Sequence, residues 1–139
     1  MQYDRYMGLD YGNSRIGIAF SDLSGTIASA DSIYKRKGER EDIEFLTKLA
    51  ESKDVRHIVI GLPLNADGTE SEMSKCVKDF GDKLFNSSQI EIFYQDERYT
   101  SFEAEEYLKE AHIPWEKRKA LLDKVAAQII LQDFLDNRK

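Results

Sequence analysis

One cysteine, Cys76, stands alone in 139 residues, so no internal disulfide can form and the chain suits a reducing compartment. Histidine is nearly as scarce. His57 and His112 stand far apart, with no Cys/His spacing that would hold zinc, and each reads as an ordinary surface or edge residue. Long apolar runs are absent too. The richest stretch, Val55 to Leu64, is interrupted by Arg56, His57 and Pro63 and is too short to span a bilayer. The opening residues MQYDRYMGLDYG carry acids and glycines where an export signal needs an apolar core, so a cytoplasmic protein is expected. No GxxxxGK[ST] phosphate loop occurs, and no Ser/His/Asp or Cys/His arrangement suggests a nucleophilic enzyme. Positive charge is also in deficit. A net charge of -6 excludes a protein that coats nucleic acid by bulk charge.

What remains is a chain that is 41% hydrophobic and 33% charged, long enough for one domain with a real core over residues 1–139. Its first third has the period of strands. Residues 5–10 lead into a Gly12-Asn13-Ser14 turn, and residues 15–21 set Ile16, Ile18 and Phe20 against Gly17 and Ala19. This hairpin has one bulky face and one small face. A third strand follows over residues 26–34. The period then changes. Residues 39–53 read as a helix with an acidic first turn, residues 57–61 as a buried parallel strand, and Thr69 with Glu72 has capping-box spacing for a helix to about residue 85. Residues 90–95 form a fifth strand. Thr100 and Glu103 repeat the capping-box spacing ahead of a helix that stops before Pro114, and a last helix spans about 116–137. A meander followed by alternating helices and strands predicts an α/β fold with a mixed sheet flanked by helices.

Three acids stand at conspicuous places. Asp10 ends the first strand on the side that carries Tyr6 and Gly8, where open α/β sheets bind ligands; a turn-capping aspartate is the plain alternative. Asp96 and Glu97 follow the fifth strand directly, and their adjacency leaves open which of the two enters the crevice. Asp123 lies beside the apolar stripe Leu122, Val125, Ala126, Ile129 and Ile130, on a flank shared with Ala127, Ile130 and Phe134. A carboxylate there is costly unless it meets a cation, either a metal ion or Lys119 or Lys124. Three carboxylates brought together repel one another, and all-oxygen ligation suits Mg²⁺ or Mn²⁺. Such ions support phosphodiester hydrolysis. Two basic clusters, Lys35-Arg36-Lys37 with Arg40 and Lys117-Arg118-Lys119 with Lys124, are the local sites where nucleic acid could be met. The first reads more simply as solvated charge.

Four segments, MGLDYGNSRIGIAFSD (7–22), IVIGLPLNADGTES (58–71), YQDERYTSFEAEEYL (94–108) and KALLDKVAAQIILQDFL (119–135), resemble the YqgF family in the family's own order and cover the chain nearly end to end. These are Holliday-junction-resolvase-like proteins also described as pre-16S ribosomal RNA nucleases. The resemblance implies a ribonuclease-H-like fold with strand order 3-2-1-4-5 and the second strand antiparallel. It implies a catalytic, metal-binding set of Asp10, Glu97 and Asp123. Arg15, Arg98 and Thr100 match recurrent polar positions that contact phosphate or brace the acids, and Lys119 lies in the motif that carries Asp123. Tyr99 and Ser101 depart from the family's usual DERLTT, a mild change that bears on substrate contacts rather than on the acids. The implied substrate is pre-ribosomal RNA, with branched DNA as the older inference.

Two other readings compete. DYGNSRIG is similar to the phosphate hairpin of the actin, Hsp70 and sugar-kinase superfamily, but those proteins enclose ATP between two such domains. A non-catalytic nucleic-acid-binding module is the other, and retention of all three acids speaks against it.

Overall fold

The structure is a computed structural model that describes residues 4–138; residues 1–3 and 139 of the expected domain lie outside it. Five strands, β1 (Arg5–Tyr11), β2 (Arg15–Ser21), β3 (Ala28–Lys35), β4 (Val55–Leu62) and β5 (Glu91–Asp96), form one sheet in the order β3-β2-β1-β4-β5. The β1, β2 and β3 neighbours are antiparallel, whereas β4 runs parallel to both β1 and β5. This is the expected mixed sheet. The carboxyl ends of β1, β4 and β5 therefore open along one edge, and Asp10 and Glu97 both lie there.

Strand alternation sorts the core into two faces. Met7 and Leu9, Ile16 and Ile18, and Ile58 and Ile60 point to one side, where α1 (Glu39–Ser52) and α2 (Glu72–Ser88) cover them with Leu46, Val77, Phe80 and Leu84. The opposite face carries Gly8, Gly17, Ala19 and Gly61, and this lack of bulk admits α4 (Trp115–Asn137) close to the sheet through Ala127, Ile130, Leu131 and Leu135. At Gly8 a methyl group would lie 2.7 Å from Leu131 Cβ. The remaining helix, α3 (Thr100–Glu110), does not join this layer but packs Ala104 and Leu108 on Val125 and Ala126 of α4. The stripe expected on α4 is thus split. Leu122, Val125, Ala126 and Ile129 face α3, while Ala127 and Ile130 face the sheet.

Both expected capping boxes are corrected. The Thr69 hydroxyl is consumed in the turn before α2, bonding Asp67 at 2.6 Å and Asn65 at 3.0 Å. The helix is capped instead by Ser71, which accepts from the Ser74 N–H at 3.0 Å while Ser74 accepts from the Ser71 N–H at 2.8 Å. At α3 the cap position is Tyr99, without a side-chain cap bond, and Thr100 is already the first helical residue. Packing decides here, because Thr100 is buried.

The first basic cluster is likewise not all solvated charge. Arg36 pairs with the fully buried Asp42 at 2.8 Å, donates to the Gly12 carbonyl at 3.1 Å and lies 4.6 Å over the Tyr11 ring. Asp42 also accepts from the N–H groups of Lys37 and Gly38, closing the start of α1. One buried ion pair thereby fixes α1 to the turn that follows Asp10.

Candidate active site

Asp10 is paired across the sheet with Gly17 of β2. A Cβ on Gly17 would lie 2.1 Å from the Asp123 carbonyl oxygen, so the absent side chain is what seats α4 beside Asp10. Gly61, at the end of β4, plays the matching part for the third acid. Its missing Cβ would lie 2.8 Å from the Glu97 carboxyl, which occupies that space. The Glu97 N–H donates to Leu62 O at 3.1 Å, and its carbonyl accepts from the Thr100 N–H at 3.1 Å. The backbone at Glu97 is thus held from both sides.

Asp96 and Glu97 take different partners. Asp96 turns away to Arg98, accepting from its Nε and Nη2 at 2.9 Å each and from its backbone N–H at 3.0 Å. Burial pushes the Asp96 carboxyl up, but these bonds from Arg98 outweigh it and hold the pKa below the ordinary value. Glu97 instead turns inward, its carboxyl lying against Gly61 and close enough to Asp10 for the two charges to interact. Burial raises both groups. Asp10 is pushed up to about 6, first by burial and then by the negative charge of Asp123, with the Glu97 hydrogen bond pulling the other way. Glu97 is pushed up to about 9 by burial, then by the charge and hydrogen bond of Asp10 and by the charge of Asp96. Both shifts favour a proton retained between the two carboxyls.

Asp123 stands beside this pair but faces elsewhere. Its carboxylate accepts from Arg15 Nε at 2.6 Å, not from Lys119 or Lys124. Among the described residues no three acids already form a ready-made ligand set. Lys119 is exposed one turn before Asp123, and Arg15 is mostly exposed. Arg98 also donates to Ala66 O at 3.0 Å and so ties the loop after β4 to the start of α3. Thr100 is buried, and its N–H bonds the Glu97 carbonyl at 3.1 Å. The roles of Gly17, Gly61 and Arg36 escape a search for chemical side chains. The small face of the first hairpin is the one trace of them in the sequence.

Residues 4–137 match the RuvX family, described as Holliday junction resolvase. The chain belongs to the RuvX family. It is 44% identical over 132 residues to a protein of Syntrophomonas wolfei named "putative pre-16S rRNA nuclease", with 95% of this chain and 94% of the relative covered. A protein of the same name from Halothermothrix orenii is 42% identical with the same coverage. Among solved structures, Thermus thermophilus RuvC in complex with a Holliday junction substrate superposes with a TM-score of 0.57 at 9% identity, covering 98% of this chain and 96% of that one. The fowlpox virus resolvase bound to Holliday junction DNA gives 0.56 at 13% identity, covering 95% and 97%. At such low identity these structures speak to the fold, which is ribonuclease-H-like in this RuvX chain.

Two half-buried carboxyls with raised pKa values fit a divalent cation between them. Both are hard oxygen donors, and a cation would offset the burial and the repulsion that raise their pKa values.

Proposed function

We propose that this RuvX protein is a metal-dependent nuclease that hydrolyses RNA phosphodiesters in the cytoplasm and matures the 5′ end of pre-16S ribosomal RNA. The observation that carries the reading is the half-buried Asp10–Glu97 pair at the carboxyl edge of the sheet, flanked by Asp123. Asp10 and Glu97 would hold Mg²⁺ or Mn²⁺, with Asp123 as the third ligand once its carboxylate leaves Arg15. When bound, the cation supplies Lewis acidity toward the phosphodiester and neutralises developing negative charge.

The chain's own groups do the rest. Asp10, at the end of β1 and opposite Gly17, presents its carboxyl oxygens at the carboxyl edge of the sheet. Arg15, mostly exposed and next to Asp123, is placed to take over a substrate phosphate when it gives up that carboxylate. Lys119 adds a mobile cation one turn away. Arg98, through Asp96 and Ala66, keeps the loop after β4 closed against Glu97.

The relatives at more than 40% identity favour ribosomal RNA, whereas the family description names branched DNA. Purified protein given a pre-16S transcript with its 5′ extension, and separately a four-way DNA junction, tests the choice. Cleavage at the mature 5′ end with the junction left intact is the expected result. Junction cleavage with the transcript untouched would replace the RNA reading by the DNA one.

A further inference from the structure

The second basic cluster lies on a part of α4 that the core does not use. The helix meets the sheet first at Asp123, over Gly17, then at Ala127 and Leu131, over Gly8, and its far end reaches Gly25 through Arg138. Its first residues therefore run past the carboxyl edge of the sheet, on the side of the acids. Trp115 and Lys119 are exposed there, and Trp115 lies about 12 Å along the helix axis from Asp123 at ~1.5 Å per residue. Trp115 is 59% exposed, although large aromatics are ordinarily buried, and Arg118 lies 5.5 Å from its ring centre. Among the described residues none of Lys117, Arg118, Lys119 and Lys124 has a carboxylate within ion-pair distance, and the buried Arg118 Nε has no hydrogen-bond partner.

Charge decides what such a surface meets. In a protein of net charge -6, an end that sets Lys117, Arg118 and Lys119 against the single exposed Glu116, beside an open indole, complements a polyanion with aromatic groups. A duplex hides its base faces, so an indole can stack only where bases are unpaired. The outward face of α3 is the contrast. Phe102 is 68% exposed there, but Glu103 and Glu106 flank it and would repel a phosphate chain.

We propose that the free end of α4 binds single-stranded nucleic acid. An unpaired base stacks on Trp115, Arg118 braces the indole, and Lys117 and Lys119 meet the flanking phosphates. The surface leads along the helix to Asp123, so it selects substrates whose strand is unpaired a few nucleotides from the scissile bond. This inference rests on the nuclease reading for its purpose, but not for its test.

Trp115 is the chain's one tryptophan, so its emission reports on this surface alone. Asp10→Asn protein with Mg²⁺ is titrated with a single-stranded RNA, a DNA of the same sequence, and the duplex of that DNA. Both single strands should quench the emission to saturation, with the duplex giving little change. In the same background, Trp115→Ala, followed by fluorescence anisotropy of a labelled strand, should weaken single-strand binding roughly tenfold, while Trp115→Phe retains most of it and Phe102→Ala all of it. Unchanged emission at saturating single strand, or full affinity in a folded Trp115→Ala protein, overturns the proposal. Quenching by a protein whose wild type cleaves nothing would leave this surface standing and remove the nuclease reading. Cleavage by wild type without any quenching would do the reverse.

Discussion

The carbonyl of Asp123 and the missing side chain of Gly17 occupy the same space. A Cβ there would lie 2.1 Å from that oxygen and 2.6 Å from its carbon, both of them backbone atoms that no rotamer change can move. Gly17→Ala must therefore push α4 away from the sheet and Asp123 away from Asp10. Overpacking of this kind costs about 1–3 kcal/mol, so the melting temperature should fall while the protein still folds. Nuclease rate should fall further than the folded fraction does. Paired thermal melts and cleavage rates read the difference, and an unchanged melting temperature would show that α4 does not sit this close.

Gly61→Ala aims at the other side of the site. The new methyl would meet the Glu97 carboxyl at 2.8 Å and Ile130 Cδ1 at 2.5 Å, both of them ends of side chains that can shift. The expected result is a mild loss of stability and a large loss of activity, because Glu97 has to leave Asp10. Activity equal to wild type in this variant would mean that the position of Glu97 does not matter.

The acid pair also makes stability depend on pH. Both folded pKa values, about 6 for Asp10 and about 9 for Glu97, lie above their unfolded values near ~4. Their contribution is therefore fully present below about pH 4 and is lost as pH rises through those two values. Metal-free protein should accordingly lose stability between pH 5 and 9, flanks that Asp10→Asn flattens, and added Mg²⁺ should restore it at neutral pH. Denaturant midpoints across that pH range measure it. A wild-type profile that rises with pH, or matches the Asp10→Asn profile, would contradict the shared proton.

Much of this arrangement was legible in the residues. Alternation placed Asp10 on the small face with Gly8, and the helix pattern placed Asp123 on the flank of α4 with Ala127, both as the structure has them. Partners remote in the chain were not legible. Helical spacing offers Asp123 only Lys119 and Lys124 as ion-pair partners beside a metal ion, yet it bonds Arg15 on β2, because a partner's identity is set by tertiary approach and not by helical spacing. Arg36 read as solvated charge for the same reason. Nothing local shows that Asp42 will be fully buried and able to compensate it. The start of α2 was misplaced to Thr69 because Thr and Ser cap alike, and only the Asp67 turn removes Thr69 from the choice.

That buried pair predicts an asymmetry. Asp42→Ala leaves Arg36 without its partner and should cost about 3–5 kcal/mol, whereas breaking the mostly exposed Arg15–Asp123 pair by Arg15→Ala should cost under ~1 kcal/mol. Chemical denaturation of the two variants checks it. Similar losses from both would place the turn after Asp10 under some other control.

Whether Asp10 acts with a divalent cation in phosphodiester hydrolysis is decided by cleavage of a pre-16S transcript by wild type and by Asp10→Asn protein, each with Mg²⁺ and with chelator. Wild type should cut with Mg²⁺ but not in chelator, and a folded Asp10→Asn protein should cut at least ~10²-fold more slowly. Undiminished cutting in chelator, or near-normal turnover by the folded variant, would contradict that role.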